Sequence, residues 1–523
     1  MMYGAAMALL LMSTGATSAL AATPANTIII ARNLDTTYTL DPHEIYEIQP
    51  SELVRSLYAR IVDLDDKTFS KVVPGVAKEW SISEDRRTYT FTIDTTQKFH
   101  SGRNVTAEDV AFSLQRTATL ARPLSFIVTQ FGLNKDTAKQ AIRAEGDKVI
   151  VTLDKAYAPD LFLNALTSSN GSVVDKELVL RNEKDGDWGN AWLRTNSAGG
   201  GAYRLVNYKP KESAVLQANP SFYLGAPKTR TIIVRHVAEP ASQRLLLEKG
   251  DVDIAQDLGG DQIEGLKGNP EVKVQAIPIG TTFYLALNQR NPYLAKPEVW
   301  QAFRYLVDYD GIADNLLRGN YGVTQSFLAP GVNGAITDKP YALNVDKAKE
   351  LLAKAGYPEG FRITMDSMPS NPHFPASQAI QASFAKAGIQ VDIRVGEPLA
   401  VLTKFRKGEH DFIMFTKSID YNDPNAMASY FARNSESAPK VPNWSNWSIP
   451  ELTARTAEAA VEQDPAKRRA RYEAIQHEIQ DNSPFVFVLR QITKIAMRSN
   501  VDGFRAGVPF DSGIYYQIEK SAQ

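Results

Sequence analysis

The chemistry open to this 523-residue chain is bounded by its histidines, serines and glycines, because it contains no cysteine. Without a thiol there is no disulfide framework, no thiolate zinc site, no iron–sulfur cluster and no cysteine nucleophile. His43-Glu44 and His477-Glu478 begin like the helical zinc motif His-Glu-x-x-His, but neither has the second histidine three positions on. His100, His236, His373 and His410 are scattered, so spacing preassembles no metal centre. Gly199-Gly200-Gly201 lacks the Gly-Lys-Ser/Thr of a phosphate loop, and it reads as a close backbone approach before Tyr203. Ser383-Phe384-Ala385-Lys386 matches the Ser-x-x-Lys of penicillin-binding enzymes, without the Lys-Thr-Gly or Ser-Asp-Asn that complete that site. An exported serine hydrolase using Ser383 and Lys386 is therefore the alternative from another function class. Asn443-Trp444-Ser445-Asn446-Trp447 holds two sequons, read as ordinary loop residues, and two tryptophans that fit core, interface or ligand stacking.

The elements that must position such residues form a mixed α/β pattern. Thr88 to Ile93 alternates polar and apolar residues, as a half-buried strand does. After a turn at His100-Ser101-Gly102, Thr106 and Asp109 make a capping-box-like start to a helix buried through Ala107, Val110, Ala111 and Leu114. Val149 to Val151 and Ile232 to Val234 read as strands. Val299, Ala302, Phe303 and Leu306 share a helical face. Further on, Asn344 caps a helix with the stripe Ala348, Leu351, Leu352 and Ala355, closed by Gly356 and Pro358. Ala376 to Ala387 is a helix stopped at Gly388, and Ile389 to Val395 alternates as a strand. Phe412 to Phe415 and Phe485 to Leu489 are strands, and Asp464-Pro465 opens another helix.

Composition narrows the function classes. Hydrophobic residues are 43%, charged residues 22% and aromatics 9%, which excludes disorder as the main state and leaves room for three to four domains. With 58 basic and 59 acidic residues the net charge is -1, which argues against nucleic acid or an anionic membrane as partner. Residues 1–22 carry no charge, and an apolar run from Ala5 to Met12 leads to Ser18-Ala19-Leu20-Ala21-Ala22. That pattern predicts a signal peptide cut after Ala21 or Ala22, although no Lys or Arg precedes the apolar run. A soluble, exported mature protein is expected.

Phe99-His100-Ser101-Gly102-Arg103-Asn104-Val105-Thr106-Ala107-Glu108-Asp109-Val110-Ala111-Phe112-Ser113 resembles the signature of periplasmic solute-binding proteins of peptide and nickel ABC transporters. Pro74-Gly75-Val76-Ala77 with Trp80 and Ser83-Glu84-Asp85 is similar to the segment before that signature. Glu248 to Asp253, Asp346 to Leu352 with Ala355 to Pro358, Lys407 to Asp411, and Asp420-Tyr421-Asn422-Asp423-Pro424 resemble later family motifs.

The resemblance implies a periplasmic-binding-protein-like α/β fold, with two lobes, a hinge and an inserted extra domain. It assigns 27–70 with 191–283 and 498–523 to a discontinuous domain, 71–190 to the insertion, and 284–497 to the C-terminal lobe. Crossings between lobes are expected near Tyr284 and Arg498. It implies a monomeric periplasmic protein without a cofactor, which binds a peptide or peptide-like amine-bearing solute and delivers it to ABC permease subunits. An opine, an oligosaccharide or a metal chelate is the alternative solute within the family. Asp420 falls where peptide binders hold the ligand's free amino group, and Tyr421, Trp447 and Tyr38 are expected to line the pocket. Two departures stand out. His373-Phe374-Pro375-Ala376 lacks the arginine that grips a dipeptide's carboxylate, and Lys417 replaces a frequent pocket tryptophan. Lys417 or Arg490 is the candidate substitute for that clamp.

Overall fold

The structure, a computed structural model, describes residues 23–45, 48–436, 438–509 and 511–521; the signal-peptide expectation for 1–22 lies outside them. Two long antiparallel strands, Val272–Leu287 and Phe485–Arg498, form the centre of an eleven-stranded sheet. On the Val272 side of this ribbon, Ile254–Ala255 follows Phe485–Arg498, and then come Thr27–Arg32, Thr231–His236, Ser213–Ala218 and Tyr203–Lys209. On the Leu287 side, Phe412–Ser418 pairs with Val272–Leu287 and leads to Arg362–Ser367 and Gln390–Val395. One half of the sheet is thus built from early chain and the other from late chain. The two long strands join them.

Between these halves the ladder is broken. Pro278 pairs with Ile492 and Thr282 with Arg490, so two extra residues bulge from the first strand at that point. Such bulges bend a strand and interrupt its pairing. Gly280 sits inside the bulge, where an added Cβ would lie 2.3 Å from Ile419 and 2.7 Å from Val508. The absent side chain lets the two halves touch, through Gly280 N–H to Val508 O at 2.9 Å and Ile419 N–H to Gly280 O at 2.8 Å.

A separate four-stranded sheet, Ala77–Ile82, Thr88–Ile93, Lys148–Thr152 and Ile142–Glu145, carries the signature helix Ala107–Leu120 across its face. The helix begins as its sequence predicts: the Thr106 side chain accepts from Asp109 N–H and the Asp109 carboxylate accepts from Thr106 N–H. Asn344 and Asp464 likewise cap Val345–Lys354 and Pro465–Asn482. Gly199 and Gly201 lie against the Leu57 and Ser56 carbonyls, too close for any side chain. One extent differs from expectation. The strand read as ending at Leu489 continues to Arg498, because residues 490–498 lack a clean alternation yet keep pairing with Val272–Thr282.

Candidate functional site

The chemistry-bearing residues gather where the two halves meet. Lys417, Thr282, Arg490 and Gly322 are directly paired across four neighbouring strands, so they share one face of the sheet. Thr282 is buried and its hydroxyl donates to Phe327 O. On one side of it, the Arg490 guanidinium lies flat over Gly322, 3.1–3.3 Å from where a Cβ would stand. On the other side, Lys417 Nζ donates to both oxygens of Asp420, at 2.7 and 2.8 Å. The two side chains are 13% and 4% exposed. A buried carboxylate needs such a partner, since its desolvation is otherwise uncompensated. Asp420 does not cap the following helix. Asp423 does, accepting from Asn425 N–H while it binds Arg468.

Tyr421 is 1% exposed, and its hydroxyl accepts from Gln130 Nε2 at 3.1 Å, which ties the C-terminal half to the inserted domain. Burial, and then Asp423, raises its phenol well above the ordinary value. Asn422 Nδ2 donates to Phe69 O at 2.9 Å, so residues 420–422 touch all three parts of the molecule.

A cleft of about 200 Å³ opens beside the broken ladder. Arg32, Glu52, Gln256 and Asp257 line it from the early half, and Asn320 and Tyr321 from the late half. Gln491 to Ile495 form its floor, where the long strand passes from pairing with Tyr321–Val323 to pairing with Ile254–Ala255. Arg32 Nη1 donates to Glu52 at 2.7 Å, and Gln256 Nε2 and the Tyr515 hydroxyl donate to the same oxygen. Gln256 Oε1 and Asn320 Oδ1 are buried without a hydrogen-bond partner among the described residues.

Two nominated residues are placed elsewhere. Trp447 packs edge-on against Phe485 and Trp300, at the far end of the ladder from Thr282, as the core reading of the tryptophan pair has it. Tyr38 is half exposed on the loop after Thr27–Arg32. The Ser383 hydroxyl donates to Leu306 O from the buried face of helix His373–Ala385, while Lys386 is exposed. No serine–lysine dyad forms. The described residues hold no group of three metal-ligating side chains and no helix long and apolar enough to cross a membrane.

Sequence reasoning missed Gly280 and Lys440. Gly280 lies in a stretch of β-type residues, and its role depends on Ile419 and Val508, both more than a hundred residues away. Lys440 Nζ stands 4.6 Å over the Phe126 ring of the inserted domain. Burial first, then the charge of Lys417, lowers its proton affinity.

The profile of bacterial extracellular solute-binding proteins, family 5 (middle), matches residues 71–439. Over 501 residues the chain is 27% identical to the probable D,D-dipeptide-binding periplasmic protein DdpA of Escherichia coli, covering 95% of this chain and 94% of that one. It is 26% identical over 471 residues to the dipeptide-binding protein of the same organism, covering 86% of each. The periplasmic binding protein DppA of Helicobacter pylori, solved with the peptide STSA, superposes with a TM-score of 0.80 at 24% identity. That match covers 95% of this chain and 98% of the other.

Proposed function

The chain belongs to the bacterial extracellular solute-binding proteins of family 5, and from that premise we propose that it works in the periplasm as a monomer. There it closes on a peptide or peptide-like solute and delivers it to ABC permease subunits. The observation that carries this reading is the joint. Only two strands link the halves of the large sheet, the ladder breaks at Pro278–Thr282, and both the cleft and the Lys417–Asp420 pair sit on that break. Two packed bodies joined in this way rotate with little strain, as hinge closure requires. We assign 27–70, 191–283 and 492–523 to the first lobe, 71–190 to the inserted domain and 284–491 to the second lobe, moving the last boundary back from 498. The second crossing is best placed at Arg490–Ile492, since Arg498 pairs deep in the first lobe with Val272.

Asp420, Lys417, Tyr421 and Arg490 are the proposed solute-facing residues; Trp447 and Tyr38 are not. Arg490 has no carboxylate partner among the described residues and is the candidate clamp for a solute carboxylate. The saturation of Asp420 by Lys417 favours a second reading, a family ligand without a free amine. The test is mass spectrometry of the solute released when the host-expressed protein is denatured, with small-angle scattering before and after that solute is returned. One small molecule, recovered unchanged and compacting the protein, is expected. A scattering profile unaltered at saturation would sink hinge closure, and recovery of cleaved product would mark an enzyme.

A further inference from the structure

The surroundings of Asp420 carry more positive charge than that carboxylate can balance. Lys417 takes both of its oxygens. Lys440, at the start of the short helix Val441–Trp444, lies half-buried against Phe126, and Lys417, Arg406 and Arg433 all add like charge to it. Lys417 and Arg406 stand over one connected pair of rings. Lys417 Nζ is 5.4 Å over Tyr430, Tyr430 meets Trp444 edge-on at 5.8 Å, and the Arg406 guanidinium is 5.6 Å over Trp444. Among the described residues, neither Lys440, Arg406 nor Arg433 forms an ion pair or a side-chain hydrogen bond. Two part-buried lysines therefore share the charge of one carboxylate, and Lys417 already takes both of its oxygens. A part-buried ammonium without a counter-charge is costly, and a ligand that supplies the charge recovers that cost on binding.

We propose that Lys440 and Lys417 hold an oxyanionic group of the solute, a carboxylate or a phosphate, at the junction of the inserted domain and the second lobe, and that the solute needs no free amine there. This rests on the solute-binding reading above and deepens it. Lys440 lies over Phe126 of the inserted domain and within the electrostatic reach of Lys417 and Asp420, so an anion seated on it bridges the two bodies. Closure then depends on the solute's negative charge.

The test uses calorimetry on the full mature chain, unfolded and refolded to remove any carried solute. The probes are N-acetyl-Ala-Ala (carboxylate only), Ala-Ala-amide (amine only), N-acetyl-Ala-Ala-amide (neither), succinate, glutarate and inorganic phosphate. Binding of the carboxylate probes is expected, weakened about thirty-fold or more by Lys440→Met, as truncation of a buried charge partner does. Lys440→Arg should restore most of it. Thermal unfolding of each variant shows that the fold is kept. Phosphate binding alone, lost in Lys440→Met, supports the same site as a phosphate site. Succinate or glutarate binding without any peptide probe supports the anion site and removes the peptide reading. Binding of Ala-Ala-amide without the acids leaves the peptide reading standing and overturns the anion site. So do acid binding indifferent to Lys440→Met and the absence of binding by every acid at millimolar concentration.

Discussion

Asp41 and Asp420 are both buried carboxylates gripped through two oxygens by one cation, yet their surroundings are opposite. Arg116, from the signature helix, reaches Asp41 at 2.8 and 2.5 Å and spends its Nε on Trp188 O. Asn190 and the His43 N–H complete the Asp41 shell. Burial disfavours the charged carboxylate, but Arg116, His43 and Asn190 outweigh it and hold its pKa at about 2. Glu44 beside it accepts from Arg194, Thr39 and Asn190. Each of the two carboxylates there accepts from several donors. Around Asp420 two part-buried lysines share one carboxylate, and Lys440 forms no ion pair among the described residues. A saturated buried network fixes how segments pack, whereas an unbalanced one is completed by what binds. The motif that reveals the family therefore builds scaffold, and the residues that choose the solute lie outside it.

The largest effect should come from breaking the saturated network. Arg116→Met leaves Asp41 buried without its counter-charge, and removing one partner of such a pair costs about 3–5 kcal/mol. Differential scanning calorimetry should show a large fall in Tm, with solute affinity within a few-fold of wild type. The double change Arg116→Met with Asp41→Leu should recover part of the loss, because no unpaired charge remains. An affinity loss matching that of Lys440→Met would erase the distinction between the two regions.

A middle-sized effect belongs to the joint itself. Gly280→Val places methyls where Ile419 and Val508 already stand, an overpacking that typically costs about 1–3 kcal/mol. That strain falls on the contact between halves and not on either core, so the closed state should suffer more than the fold. Small-angle scattering should show a larger radius of gyration than wild type in the presence of solute, and affinity should fall. A compact Gly280→Val protein of unchanged affinity would show that the bulge is not where closure is made.

What was legible in the sequence follows the same division. The capping box at Thr106–Asp109 and the caps at Asn344 and Asp464 are written within four residues, and all three form. The Lys417–Asp420 pair lies within reach of the sequence, because residues three apart can meet without help from the fold. The surplus around it does not. Lys440, Arg406 and Phe126 converge only through tertiary packing, and each alone looks like an ordinary surface or core residue. A tryptophan beside a loop motif, such as Trp447, suits a pocket wall as well as a core, and its packing on Phe485 and Trp300 is set only by the fold.

The smallest effect compares two buried histidines, one in each region. His43 is satisfied: its Nδ1 faces Arg116 at 2.9 Å and its Nε2 faces Ser172 O at 3.1 Å. His410 packs edge-on to Phe405, and neither ring nitrogen has a partner among the described residues. Burial, then Lys404, lowers His410 from 6.5 to about 3, and burial with Arg116 lowers His43 to about 4. In both cases the unfolded chain binds protons that the folded one refuses. The stability each neutral ring preserves is full above pH 6.5 and declines as pH falls toward the folded value. His410→Phe removes that liability at near-constant volume, with a cost below about 1.5 kcal/mol at neutral pH. Measured from pH 7.5 down to 4.5, the Tm of His410→Phe should fall less steeply than that of wild type. His43→Phe should lose stability at every pH, since it removes one partner from Arg116 and one from the Ser172 carbonyl. Parallel Tm–pH curves for wild type and His410→Phe would show that His410 is protonated in the folded state, and that the packing around Phe405 is looser than the structure has it.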